Sequence, residues 1–466
     1  MARAFMTRLA PLAAAALLAA CSFTPTYERP AAPVPAAFPL PAAASGTPAP
    51  ALAWNEFLAD ARLRRLVEAA LVNNRDLRIA VLNVEQARAA LGVARADQWP
   101  TVNAGVGANR TSVSDSYSAG LQVSAFELDL FGRVRSLSDA AAARWLASDE
   151  GRRAAQVALI AAVASADLAL RADDELIRVT EQALAARESS LKLVRVKFEA
   201  GASAEPELRA AESLLAAART SVIALQRQRA LDQNALLLLL GQALPADLPP
   251  AATLENTPLA DLPAGLPSEV LLQRPDIRQA EQLLIAANAN IGAARAAFFP
   301  RISLTGSVGF ASTQLSSLFD HTAWSFAPQL LQPIFDAGRI EANLEAAKAA
   351  RAIAVAQYEK SIQVAFREVA DALAGRATLG DQLAAQQAQA QAEQRRLVLA
   401  DLLFQGGAAS ALDRLDAERS ALAARQAVVQ LQLAKAQNAV LLYRVLGGGA
   451  GPVMAGAPAA ASAPAR

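Results

Sequence analysis

The sequence predicts a mainly α-helical chain with membrane β-strands, built twice over from one unit. Three observations lead there. The stretch from Ile334 to Gly449 holds no proline and is dominated by Ala, Leu, Gln, Glu and Arg, which favours helix at nearly every position. Gly132, Phe198, Gly201 and Gly241 recur as Gly338, Phe404, Gly407 and Gly447, each displaced by 206 residues, the mark of an internal duplication. Between the helical runs the hydrophobic period falls from about 3.6 to about 2, so each copy carries a pair of strands.

In chain order, Arg3 and Arg8 precede the apolar run Leu9 to Ala20, and Leu18-Ala19-Ala20-Cys21 has the small-residue pattern of a lipoprotein cleavage site. Residues 1–20 are therefore expected to be a signal peptide and Cys21 a lipidated mature N-terminus. Ser22 rather than Asp follows the Cys, which by similarity to bacterial lipoproteins favours sorting to the outer membrane. Residues 21–53 are rich in Pro and Ala and read as an extended tether of polyproline character.

The first repeat is expected over 54–241. Asp60 to about Gln98 is helical, interrupted at Asn73-Asn74. After Pro100, Val102, Ala104, Val106 and Ala108 alternate with Asn and Gly, and Tyr117, Ala119, Leu121, Val123 and Ala125 alternate with Ser, Gly and Gln. These form a strand pair over 101–110 and 117–128. A helical hairpin follows, opening at Gly132 and turning near 201–205. Residues 242–267, rich in Pro, Ala and Leu, read as an equatorial linker. The second repeat, 268–447, restarts at Ser268, with Arg274 and Asp276 read as a structural joint.

Its strands are expected over 301–310 and 323–332. Its first long helix carries a stripe through Ile340, Leu344, Ala347, Ala354, Tyr358, Ile362, Ala365, Val369 and Leu373 at coiled-coil spacing and turns near 405–410. Residues 448–466 read as a disordered tail.

The strand faces decide where the sheet belongs. One face is small and uncharged, the other apolar and ended by aromatics such as Tyr117, Phe126, Phe299, Phe310 and Trp324, an arrangement suited to membrane interfaces. No mature segment reaches ~18 consecutive apolar residues, so a barrel is the expected way to span. Four strands cannot close alone, and a barrel of about 8 has a filled lumen. Three copies would give 12 strands, the smallest assembly expected to be open.

Several classes are set aside. A net charge of +1 with mixed signs offers no field for nucleic acid, and one His and one Cys offer neither a metal site nor a disulfide framework. No catalytic constellation, phosphate loop or cofactor motif is present, so no enzyme activity is expected. The remaining classes are an export duct and, as the alternative, a lipid-anchored periplasmic adaptor or coiled-coil scaffold. An adaptor would need one hairpin and a soluble β-domain, whereas this chain has two hairpins, each preceded by a strand pair.

The site at Cys21 with Tyr27-Glu28-Arg29-Pro30, the Arg274-Pro275-Asp276-Ile277-Arg278 run, Phe335-Asp336-Ala337-Gly338-Arg339 and Leu415-Asp416-Ala417-Glu418-Arg419 together resemble the TolC-like outer-membrane factors. The lipoprotein branch that serves resistance-nodulation-division efflux pumps is the nearest in pattern. The resemblance implies a homotrimer with a 12-stranded β-barrel in outer-membrane lipid, continued by an α-helical coiled-coil barrel in the periplasm. It also implies a periplasmic adaptor and an inner-membrane pump as partners, with drugs and other small molecules as cargo. The hairpin turns Gly201, Ala202, Gly407 and Ala408 are then expected to dock the adaptor, and Leu412, Asp413, Asp416 and Arg419 to form the periplasmic gate. A role for Asp413 as a plain helix N-terminal acid stays open beside the gate. The chain departs from the pattern at Glu205-Pro206-Glu207 and at Asp167, where an aromatic is expected.

Overall fold

The computed structural model describes residues 23–39, 52–255, 257–260, 262 and 268–449. The signal peptide, Cys21 and the tail from residue 450 onward lie outside the described residues.

Helices α1 (Ala61–Asn73) and α2 (Arg75–Ala96) meet at Asn74. The Asn74 backbone is extended there, its Oδ1 caps the Leu77 N–H at 2.8 Å, and its Nδ2 donates to the Leu239 carbonyl at 2.8 Å. One side chain thus ends one helix and starts the next. Strands β1 (Val102–Arg110) and β2 (Asp115–Leu128) follow, then α3 (Arg133–Glu199) and α4 (Glu205–Leu240). The second repeat runs α5 (Pro275–Ala296), β3 (Arg301–Ser312), β4 (Thr322–Leu331), α6 (Arg339–Gln405) and α7 (Ala411–Val445). Helices α3 and α6 are both 67 residues long. Each is on the order of 100 Å from end to end.

The four strands form one antiparallel sheet in the order β1-β2-β3-β4. Its register sorts the side chains by face. Ala104, Leu121, Val308 and Trp324 lie in one cross-strand row, and Val102, Val123, Gly306 and Phe326 in the next. Asn103, Gln122, Ser307 and Ser325 make a row on the other face, where Ser307 and Ser325 share a hydrogen bond of 2.7 Å. Gly120 pairs with Gly309 because a Cβ on Gly120 would lie 2.4 Å from the Val308 carbonyl oxygen. A bulge between Val123 and Phe126, with Ala125 at φ 51°, adds one residue to β2 and so brings Phe126 onto the apolar face opposite Leu304. That face stays open, with Val106 83% and Trp324 79% exposed, and among the described residues neither edge strand, β1 nor β4, has a further partner strand.

Contacts divide the chain across the repeats. One unit gathers the described residues up to Pro33 with Ala80–Arg152 and Asp276–Ile362; the other gathers Val34–Ile79, Arg153–Pro275 and the chain from Gln363 onward. In the first unit, α3 and α5 meet through Ala140, Ala143, Ala286 and Ala289, small residues that let the two backbones approach.

The expected free tether is here a bound strap over residues 23–29. Phe23 stacks on Phe299 at 4.5 Å, Thr24 Oγ1 lies 3.1 Å from Ser136 Oγ, and Asn288 Nδ2 donates to the Pro25 carbonyl at 2.7 Å. Buried Glu281 accepts from Tyr27 Oη at 3.0 Å and from Arg29 Nε at 2.7 Å. Burial and that carboxylate hold the Tyr27 phenol well above its ordinary range.

The second unit has a polar centre. Arg171 binds Asp60 and Asp167, Arg62 binds Asp167 at 2.9 Å, and the linker carbonyls of Pro249 and Ala252 accept from these two arginines. Phe57 stacks on Tyr443 at 4.0 Å, and Arg274 joins the Val445 carbonyl and Glu368, both at 2.9 Å. Asp167, the departure from the family pattern, is fully buried as the partner of two arginines. Helix α3 is long and apolar enough, by length and composition, to cross a membrane, which a search for consecutive apolar residues misses. More than half of its apolar stretch is buried within the chain, and its buried Asp167 and Arg171 belong to this ion-pair centre, as in a core helix.

Candidate functional site: the hairpin turns and their charge cluster

Both hairpins turn the same way. Gly201 and Gly407 sit at φ 73° and 72°, a conformation glycine adopts without strain. The Ala202 N–H donates to the Lys197 carbonyl and the Ala408 N–H to the Leu403 carbonyl, each at 2.8 Å, closing the helix ends. The helices that leave the turns start differently. Helix α7 opens with a capping box, in which Ser410 Oγ accepts from the Asp413 N–H and the Asp413 carboxylate accepts from the Ser410 N–H, both at 3.2 Å. Helix α4 opens at Ala204, which has no side chain to cap with, and Pro206 lies in its first turn.

The structure brings some of the expected gate residues together and separates others. Asp416 and Arg419 form an ion pair at 2.6 Å, and Arg396 of α6 completes a triad with Asp416 at 2.7 Å and Glu393 at 3.2 Å. Hydrogen bonds from Arg396 and then Arg419 hold the Asp416 carboxyl below its ordinary range. Asp413 faces its own cap rather than this triad, and the Ser410 hydroxyl lowers its pKa. Leu412 projects from the first turn of α7 with 71% of its surface exposed.

Arg396 was legible in principle, since it and Asp416 each lie ten residues from Gly406, as facing positions of a hairpin must. Behind the triad lies a buried pair with no such signal. Arg187 of α3 donates to Glu418 at 2.8 Å and to the Leu214 carbonyl at 3.1 Å. Arg414 reaches Ser190, Asp401 at 3.3 Å and Glu418 at 3.8 Å, and packs over the Phe404 ring. These contacts tie the hairpin of the first repeat to that of the second. The described residues hold no group of His, Cys, Asp and Glu able to bind a metal ion.

The family model for the outer membrane efflux protein matches residues 66–242 and 266–448, one match in each repeat. The solvent efflux pump outer membrane protein SrpC of Pseudomonas putida is 45% identical over 459 residues, covering 94% of this chain and 97% of that protein. Outer membrane protein OprJ of Pseudomonas aeruginosa is 44% identical over 448 residues, covering 93% and 94%. Among solved structures, the open state of the MtrE outer membrane channel of Neisseria gonorrhoeae superimposes with a TM-score of 0.85 at 40% identity, over 92% of this chain and 98% of that one. A membrane protein of Pseudomonas aeruginosa gives 0.86 at 43%, over 92% and 100%. With two family matches falling on its two repeats, and relatives aligned nearly end to end, the chain belongs to the outer membrane efflux protein family.

Proposed function

We propose that this chain is the outer-membrane exit duct of a tripartite efflux system, working as a trimer with a periplasmic adaptor and an inner-membrane pump. The observation that carries the reading is the sheet. Its apolar face is open along four strands and its two edges are unpaired, so it is satisfied when β4 of one copy pairs with β1 of the next in lipid. Three copies make the 12-stranded barrel. The cargo is taken to be small and apolar, since relatives are named for solvent, toluene and antibiotic efflux. A duct needs no catalytic group.

A lipid anchor on Cys21 fits the strap, because Phe23 is stacked on Phe299 just before β3, which brings the chain end to the base of the membrane sheet. Gly201, Ala202, Gly407 and Ala408 offer free backbone turns to the adaptor; a Cβ on either glycine would meet nothing within 4 Å. Leu412, Asp416 and Arg419, with Arg396, make the closing ring, and Asp413 holds the helix start beneath it. Such a ring is bistable, and the docked pump need favour the open packing by only a few kcal/mol. The purified protein should run as a heat-modifiable trimer that conducts in planar bilayers. Joint replacement of Leu412 and Asp416 by Ala should raise single-channel conductance at unchanged trimer yield. A monomer, or a trimer of unaltered conductance, counts against the duct and the gate respectively.

A further inference from the structure

Where α3 and α4 run side by side, two carboxyl groups meet with no cation between them. Asp173 of α3 is 6% exposed and its Oδ2 is buried without a hydrogen-bond donor, and the Asp232 carboxyl of α4 lies beside it, one helical turn from the Arg229 that bonds Asp174. The nearest cation is engaged elsewhere: Arg229 gives Nε to Asp174 at 2.5 Å and Nη1 to Gln233 at 3.0 Å. Among the described residues, Asp232 accepts from the Gln228 amide at 3.1 Å. Helix α7 packs along the same stretch of α3 through Gln426 to Thr180 and Gln437 to Ser165, and between Arg425 and Lys435 it carries no ionisable residue. On α3 itself, Glu175 is taken by Arg178. Two carboxylates in contact without a bridging cation are held together by a proton.

We propose that Asp173 and Asp232 are a proton-binding site that clamps the first-repeat hairpin in acid and releases it as the pH of the periplasm rises to neutrality. Burial first, then the Asp232 carboxyl, pushes Asp173 up from the ordinary carboxylate range to about 7. Because the value is raised in the native packing, the clamp's contribution is complete below the ordinary carboxylate range, is lost progressively as pH climbs to about 7, and is flat beyond it. The other hairpin supplies an internal control. The positions 206 residues on are Leu379 and Asn438, and Asn438 simply donates to the Ala372 carbonyl at 3.0 Å. The second repeat therefore has no carboxyl at either position.

Hydrogen exchange on the full-length trimer in detergent tests this. Between pH 5 and 7 the opening constant of the α3–α4 segment around Asp173, taken relative to the Asp173→Asn variant, should rise by up to about tenfold per pH unit. It should then level off, while the α6–α7 segment around Asn438 gives a constant ratio. Asp232→Asn should flatten the profile in the same way. A ratio independent of pH across α3–α4 overturns the proposal. In the unmodified protein, difference infrared spectra should show a buried protonated carboxyl at pH 5.5 that is lost by pH 8, a reading that needs no variant to fold. Absence of that band at pH 5.5, or its replacement by a calcium-dependent carboxylate shift, also overturns it.

Discussion

Glycines at equivalent positions of the two repeats should respond oppositely to one methyl group. Gly292 of α5 lies under the strap, where an added Cβ would stand 2.2 Å from Thr24 Oγ1, 2.7 Å from Ser136 Oγ and 2.9 Å from the Thr24 Cα. The first two are side-chain atoms, but the third is backbone, so Gly292→Ala must lift the strap. The contacts at risk are the Thr24–Ser136 and Asn288–Pro25 hydrogen bonds and the Phe23–Phe299 stack. At about 1 kcal/mol for each hydrogen bond and for the stack, their loss comes to about 3 kcal/mol. That raises the undocked fraction about 150-fold. When docking is fast, proteolysis follows that fraction, so the N-terminal peptide of the intact trimer should be released by a broad-specificity protease faster by a similar factor, read by mass spectrometry. Gly92 of α2 stands 200 residues earlier, the offset at which Ala94-Arg95-Ala96 and Pro100 precede Ala294-Arg295-Ala296 and Pro300 upstream of the strands, and would meet nothing within 4 Å. Gly92→Ala should leave strap release unchanged and stabilise the helix by roughly 0.5–1 kcal/mol. Equal release rates for the two variants would refute the claim that the strap rests on Gly292.

Two further outcomes are expected. Cys21→Ala should abolish incorporation of a radiolabelled fatty acid while leaving barrel insertion largely intact, since one acyl chain adds only marginal anchoring; undiminished label on the mature protein would count against lipidation. Arg187→Met should destabilise the protein by up to about 3–5 kcal/mol because it leaves buried Glu418 with only the longer 3.8 Å contact to Arg414, and Arg187→Met combined with Glu418→Leu should recover most of that loss. Denaturant unfolding that shows no recovery would mean the pair is not isolated from its surroundings.

The periodicity carried the helices and strands because those depend on local patterning. Both 67-residue helices and the four-stranded sheet follow from proline spacing and from the change of period at Pro100 and Pro300. The stripe foreseen on α6 is buried from Ala354 through Leu373, yet Ile340, Leu344 and Ala347 are only half-buried. Three features were not legible. The strap reads as a tether because its affinity lies in the groove it enters, in Gly292, Asn288 and Glu281, more than 250 residues away. The bulge at Ala125 shifts the alternation by one residue, so a strict period of two carried through Ala125 puts Phe126 on the wrong face. Arg187 and Glu418 are 231 residues apart, and nothing local marks either as buried.

Sameness of backbone and difference of chemistry between the repeats bear directly on how such a duct can move. The turns share geometry to within a degree of φ, yet Ser410 and Asp413 cap the second hairpin where Ala204 and Glu207 stand in the first. The triad of Arg396, Asp416 and Arg419 corresponds to Ser190, Ala210 and Ser213, none of which can form an ion pair. Conversely, the carboxyl pair of Asp173 and Asp232 corresponds to Leu379 and Asn438. The exposed triad therefore sits on the second hairpin and the carboxyl pair on the first, which also carries exposed ion pairs of its own, Arg229–Asp174 and Arg219–Glu188 among them. Exposed ion pairs weaken with ionic strength, whereas a buried protonated pair does not. On the proposed gate, opening at the second hairpin should then ease as salt rises at fixed pH, and on the proposed carboxyl clamp the first hairpin should, in addition to any salt response, loosen with pH at fixed salt. On these proposals the duplicated fold acquires a pH response on one hairpin alone from two substitutions, Leu379 and Asn438 standing where the other has Asp173 and Asp232, and neither change disturbs the apolar stripe that holds the helices in register.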